Sequence, residues 1–202
     1  MELRTLLSNA LFSASLGLAA TATATAGEPT PEWLTRSRAM STELGTALKS
    51  ELSAALAQSG PSGAIEVCRV RAPEIAAHLS RESGAKLSRT ALRLRNPANA
   101  PDELQRAILE QFAADLASGQ LEPPLEAAVE INRGGRIERR YMRAIPTDAL
   151  CLTCHGTELA PEVKAAIAKA YPDDQATGFS AGQLRGAFSV IWPAVPMAAS
   201  KP

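Results

Sequence analysis

Met40, Leu44, Leu48, Leu52 and Leu56 recur every four residues, which predicts an amphipathic helix with one apolar stripe turned to a core. Thr30-Pro31 supplies an N-cap and a first helical position, and Ser59-Gly60-Pro61 stops the helix. Ser62 caps a second helix running to about Ser83-Gly84, with Ile65, Cys68, Ala72, Ile75/Ala76 and Leu79 on its apolar face. Residues 86–95 alternate loosely, Leu87, Leu92 and Leu94 among Arg89, Arg93 and Arg95, and read as a strand. The Asn/Pro-rich turn of residues 96–102 follows, with Asn99 and Asp102 spaced like a capping box. Leu104, Ile108, Phe112 and Leu116 then mark a helix ending at Ser118-Gly119.

The second half of the chain changes period. Val129 and Ile131 alternate, Asn132-Arg133-Gly134-Gly135 turns the chain, and Ile137, Tyr141 and Ile145 share one face, which predicts a β-hairpin over residues 127–145. A short helix begins at Ala160-Pro161 with Val163, Ile167 and Ala170 inward. A last strand from Leu184 to Trp192 places Phe188, Val190 and Trp192 on one face. No internal repeat is present.

Residues 1–26 have the form of a secretory signal: Arg4, an apolar run from Leu6 to Ala20, and the cleavage pattern Ala24-Thr25-Ala26. The run falls short of the ~20 apolar residues a membrane span needs. The expected organisation is a signal peptide over 1–26, one domain over 27–193, and a disordered tail over 194–202, in a periplasmic protein. Lys+Arg and Asp+Glu both number 21, so net charge gives no case for nucleic acid or an anionic membrane. Aromatics make up only 4% of the chain, and a flat apolar cofactor would supply the bulk they do not.

The chemistry concentrates in Cys151-Leu152-Thr153-Cys154-His155-Gly156. C-x-x-C-H is the attachment signal of a c-type haem: two thiols three residues apart add to the two vinyl groups of one porphyrin, and the adjacent histidine becomes the proximal iron ligand. With three cysteines and two histidines in 202 residues, this order does not arise easily by accident. A thioredoxin-like C-x-x-C would follow a strand in a βαβ unit, which the periodicity does not show. A zinc site from Cys151, Cys154, Cys68 and His78 lacks the second closely spaced ligand pair. A structural disulfide is the third rival.

Cys68 is the odd cysteine of an exported chain. It is either a small buried hydrophobe or the sixth ligand of the iron, with Arg69 and Arg71 nearby to favour its thiolate. His78 competes as a distal ligand but lies about 80° from Cys68 around the helix and roughly 15 Å along it. Met40 fits the core stripe, and Met142 faces away from Tyr141, so both are weaker ligand candidates. Arg89, Arg93, Arg95 and Arg143 are candidate partners of the haem propionates, since a guanidinium grips carboxylate as a fork, though a solvated strand face also accounts for them.

Ala64-Ile65-Glu66-Val67-Cys68 with Ala72-Pro73, Arg89-Thr90, the run Arg95-Asn96-Pro97-Ala98-Asn99-Ala100-Pro101-Asp102, the Cys151–Gly156 motif, and Tyr171-Pro172 through Gly186 form a pattern. It resembles a family of small exported single-haem c-type proteins catalogued as a domain of unknown function, related to sensing domains of membrane signalling proteins. Ala91 departs from it, standing where a small hydroxyl residue is expected. The resemblance implies an α+β, PAS-like fold, an antiparallel sheet flanked by helices with haem between them. It also implies one covalent haem on Cys151 and Cys154, ligated by His155, with Cys68 where the family has a cysteine suited to the other axial position.

Together these readings give a periplasmic haem protein, either a redox sensor or an electron carrier, working with a redox or membrane signalling partner protein. A thiolate donor favours ferric iron and a low potential, and a His/Cys iron has no open site, so an enzyme is not expected. The alternative is a gas-binding or peroxidase-like protein with an open distal position, which would need an acid/base residue there.

Overall fold

The computed structural model describes residues 30–119 and 124–196. The expected signal peptide and residues 197–202 of the expected tail lie outside them. Helix α1 (Glu32–Glu66) leads through a π-helical segment (Val67–Arg71) into α2 (Ala72–Ser83). Strand β1 (Lys86–Thr90), helix α3 (Glu103–Ser118), and the hairpin of β2 (Glu126–Asn132) and β3 (Arg136–Pro146) follow. The chain closes with a short helix α4 (Leu152–His155), α5 (Pro161–Ala170) and β4 (Leu184–Pro196). The sheet is antiparallel in the order β1-β4-β3-β2, giving an α+β, PAS-like architecture. Among the described residues no helix is long and apolar enough to cross a membrane.

The alternation of strand side chains gives the sheet two covered faces. On one, Tyr141, Phe188, Val190 and Leu87 pack against Met40 and Leu44 of α1 and Leu79 of α2. On the other, Met142, Ala144 and Ala187 pack against Leu109 and Phe112 of α3. A third cluster joins Ile65 to Leu159, Val163, Ile167 and Tyr171, fixing α5 beside the end of α1.

The α1 stripe therefore divides. Met40 and Leu44 are buried in the core, whereas Leu52 and Leu56 face a cavity further along. A Cβ on Gly45 would stand 3.1 Å from the Phe188 ring, so the glycine lets helix and sheet approach closely.

Several boundaries differ from the sequence reading. Pro31 is the N-cap of α1 rather than its first residue. The expected stop at Gly60-Pro61 is a kink, with Gly60 at φ 66, after which helical structure resumes to Glu66. Strand β1 ends at Thr90, because residues 91–96 leave the sheet to pack elsewhere. The capping box falls on Asp102 and Gln105, each side chain accepting from the other residue's backbone N–H at 2.9 Å. Strand β4 continues past Trp192, where Val195 pairs with Ile137 and Pro196 with Arg136, so residues 194–196 belong to the sheet and not to a tail.

Candidate functional site

A cavity of about 620 Å³ opens between α1, the π-helical segment and the sheet strands β1, β4 and β3. It lies within the roughly 300–1,000 Å³ typical of small-molecule and cofactor pockets. Cys151, Cys154 and His155 line one part of its wall and Cys68 another. All three cysteines are free thiols.

The C-x-x-C-H segment is held by its local hydrogen bonds. A single 3₁₀ turn (Ala149–Cys151) runs into α4, with the Cys151 N–H donating to the Asp148 carbonyl at 3.0 Å. The Cys151 thiol donates to the Asp148 carboxylate at 3.1 Å, and Lys49 of α1 binds the same carboxylate at 2.7 Å. Burial pushes both motif thiols above their ordinary value, with the Asp148 carboxylate adding to the rise at Cys151. Gly156 ends α4 where a Cβ would meet the Leu152 carbonyl at 2.6 Å. The segment from Gly178 to Phe179 then lies along His155-Gly156, with Phe179 donating to the His155 carbonyl at 2.9 Å.

His155 Nδ1 is 2.6 Å from the Ala176 carbonyl oxygen, which only accepts, so Nδ1 carries the proton. The lone pair is thereby left on Nε2. Burial, with Arg185 and Arg95 adding to it, pushes the His155 pKa down to about 2, so the ring is neutral at ordinary pH. Fixing one ring nitrogen on a backbone carbonyl is how proteins orient a histidine for a metal on the other. Arg185 Nε lies 3.2 and 3.4 Å from the two ring nitrogens. With Nδ1 already donating, only Nε2 can accept from it, and an iron on Nε2 would take the place of that contact.

The cysteine on the other wall sits in a different kind of structure. Cys68 belongs to the π-helical segment, a distortion often found at functional positions. Its flanking arginines pair with carboxylates at the exposed surface, Arg69 with Glu66, and Arg71 with Glu51 and Glu74. His78 does not line the cavity. It is exposed and pairs with Glu82 at 3.4 Å, so the zinc set built on it does not assemble. Met40 and Met142 are core residues, Met142 on the α3 side of the sheet.

The four arginines expected to grip propionates have separate fates. Arg93 and Arg95 are committed to protein. Arg95 grips Asp174 at 3.0 and 3.1 Å and donates to the Cys154 carbonyl at 2.6 Å. Arg93 donates to the carbonyls of Gln175 and Thr177 and lies over the Phe179 ring. Arg143 faces the cavity, donates to Thr42 Oγ1 at 2.9 Å and lies 5.5 Å from the Phe188 ring. Arg89 also faces the cavity, opposite Phe188 in the β1–β4 ladder.

Arg185 is the site residue the sequence reading passed over. Ile145 pairs with Gly186 and Pro146 with Leu184, so Arg185 is the extra residue of a β-bulge, which re-aims it to the cavity wall. Burial, reinforced by Arg95 and Arg89, lowers its pKa to about 10. Against these guanidiniums the cavity wall offers, among the described residues, one carboxylate, Asp148, already bound to Lys49.

An apolar cavity with two thiols, an oriented imidazole and surplus guanidiniums suits a planar, apolar, metal-bearing group with anionic substituents. The profile of the Tll0287-like family matches residues 14–193. The chain belongs to the Tll0287-like family. The crystal structure of the cyanobacterial haem protein Tll0287 is similar, with a TM-score of 0.64 at 25% identity, covering 84% of this chain and 100% of that one. No curated protein matches the chain. Within this Tll0287-like fold, the cavity lies between the sheet and the α1–α2 layer.

Proposed function

We propose that the protein is an exported c-type haem protein of the periplasm that acts in redox sensing or electron transfer. One haem is attached through Cys151 and Cys154, with His155 and Cys68 as axial ligands. The observation that carries this reading is the wall of a single cavity shared by Cys151, Cys154, His155 and Cys68, with His155 Nδ1 held by Ala176 and its Nε2 left for iron. Tll0287, a haem protein of the same family, supports it.

Bound haem would supply one-electron chemistry at iron. The chain's own residues do the rest. Asp148 and Lys49 position Cys151, Ala176 sets the His155 tautomer, and Arg143 and Arg185 offer guanidiniums to propionates. Leu150, beside Cys151, both lines the cavity and is exposed, giving a redox or membrane signalling partner an apolar approach to the cofactor edge. No reaction is assigned, since His78, the acid/base candidate for peroxide chemistry, lies outside the cavity.

The test is the visible absorption of protein exported with haem maturation, oxidised and reduced, with and without CO. Covalent haem with thiolate features in the ferric state and no CO binding is the expected result. Absence of covalent haem overturns the proposal, and ready CO binding replaces it with a gas-binding or peroxidase-like protein that has an open distal site.

A further inference from the structure

Cys151 and Cys154 line the same cavity, yet their surroundings differ. The 3₁₀ turn Ala149–Cys151 places Asp148 three residues before Cys151, and in such a turn side chains at that spacing stand one above the other. The Cys151 thiol accordingly donates to Asp148 Oδ1 at 3.1 Å, while Lys49 of α1 binds Oδ2 at 2.7 Å. Three residues before Cys154 stands Cys151 itself, so the second thiol has no carboxylate beneath it. Among the described residues the Cys154 thiol forms no hydrogen bond, and its side chain packs against the apolar cluster of Ile65, Val163 and Tyr171.

The Lys49 ammonium on Oδ2 keeps the Asp148 carboxyl ionised, and an ionised carboxylate only accepts. The Cys151 proton therefore lies on the Asp148 side of the sulfur, which leaves the sulfur lone pairs free to bond carbon in the cavity that Cys151 lines. Asp148 is half-buried and Lys49 exposed, both at the cavity wall, so a proton taken up there passes on to water.

We propose that Asp148 is the general base of haem attachment at Cys151, taking the thiol proton as the sulfur adds to a vinyl group, and that Lys49 positions it. This rests on the covalent haem proposed above. In the addition the inner vinyl carbon gains the bond to sulfur, the outer vinyl carbon gains a proton, and the S–H bond breaks towards Asp148 Oδ1. Hydrogen and sulfur are added across one double bond, so neither an oxidant nor a reductant is consumed. A sulfur that has bonded carbon while still carrying its proton is strongly acidic. The carboxylate already hydrogen-bonded to it removes that proton without rearrangement. Cys154, lacking such an acceptor, attaches without help from Asp148.

The test is Asp148→Asn exported with haem maturation beside the wild type, followed by iodoacetamide labelling and mass spectrometry of the peptides carrying each cysteine. Removing a positioned base slows attachment at Cys151 by on the order of 10²-fold. D148N therefore accumulates with haem on Cys154 alone and Cys151 alkylated. Its reduced pyridine complex absorbs at longer wavelength than that of the wild type, because one vinyl group stays conjugated with the porphyrin. An asparagine oxygen in the same place still accepts the S–H, so a role limited to orientation leaves both thioethers in D148N and overturns the inference. Equal loss at both cysteines also overturns it, since the base serves Cys151 alone. Lys49→Met, at an exposed position, leaves the carboxylate but frees it to turn away, and gives a mixture of singly and doubly attached protein. Wild-type attachment in K49M overturns the part given to Lys49. Wild-type protein without covalent haem overturns the function proposed above, and the inference with it.

Discussion

Arg95 joins three pieces of chain: its own segment after β1, the C-x-x-C-H helix, and the loop of residues 174–176. Its Nε and Nη2 grip the Asp174 carboxylate at 3.0 and 3.1 Å, and Nη2 also reaches the carbonyls of Cys154, at 2.6 Å, and Ala176, at 3.2 Å. Asp174 Oδ1 in turn accepts from the Ala176 N–H at 3.0 Å, and Ala176 is the residue whose carbonyl orients His155. Both members of the pair are buried, at 7% and 8% side-chain exposure. Solvent screening is therefore slight, and the rule for a buried pair applies: deleting one partner strands the other. For Arg95→Met that costs about 3–5 kcal/mol. At roughly 2–4 °C per kcal/mol for a domain of this size, the melting temperature falls by roughly 6–20 °C.

Thermal and urea unfolding followed by far-ultraviolet circular dichroism measures this loss. Asp174→Asn gives the complementary arm. If Asp174 is the partner, D174N is also destabilising, and R95M/D174N is more stable than the sum of the two losses predicts. If Arg95 instead serves a propionate, D174N is nearly neutral and the two changes add. A loss below about 1 kcal/mol for R95M, or strict additivity, would refute the reading of Arg95 as the brace of the His155 loop.

Leu44, fully buried between Tyr141, Phe188 and Val190, loses about 2–5 kcal/mol as Leu44→Ala through transfer and cavity terms, measured by urea denaturation. Glu126 gives a pH signature. Arg38, then the Tyr141 hydroxyl at 2.7 Å, hold its carboxyl below the ordinary 4.5. A depressed carboxylate contributes stability that is complete above the unfolded value and is lost as pH falls through the folded one. Glu126→Gln therefore lowers stability at neutral pH and flattens the acid limb below about pH 4.5 in unfolding measurements across pH. An unchanged acid limb would assign that limb to other carboxylates.

Local pattern carried much of this molecule. The four-residue spacing from Met40 located α1, the Asn-Arg-Gly-Gly turn located the β2–β3 hairpin, and the order Cys-x-x-Cys-His located the motif that lines the cavity. What the pattern missed depends on distant partners or on a break in period. Arg95 finds Asp174 across 79 residues, and nothing at either position signals the other. Arg185 was hidden because regular alternation sends it away from Phe188, and only a bulge brings it back. Residues 194–196 looked like a tail because prolines suit poorly the interior of a sheet. They join β4 because β3 extends alongside as far as Arg136.

The two walls of the cavity are built to different standards, and that bears on how such a site can switch. His155 is fixed by backbone on both sides, through Ala176 at Nδ1 and Phe179 at its carbonyl, and the loop supplying Ala176 is braced by Arg95. Cys68 stands on a five-residue π-helical segment with no buried residue, entered six residues after the Gly60 kink at Glu66 and left at Ala72. A π-helical turn relaxes to α-helix by shifting its hydrogen bonds one residue, a small change compared with dismantling the His155 loop. If iron binds both residues, redox-linked loss of a ligand therefore belongs to the Cys68 side.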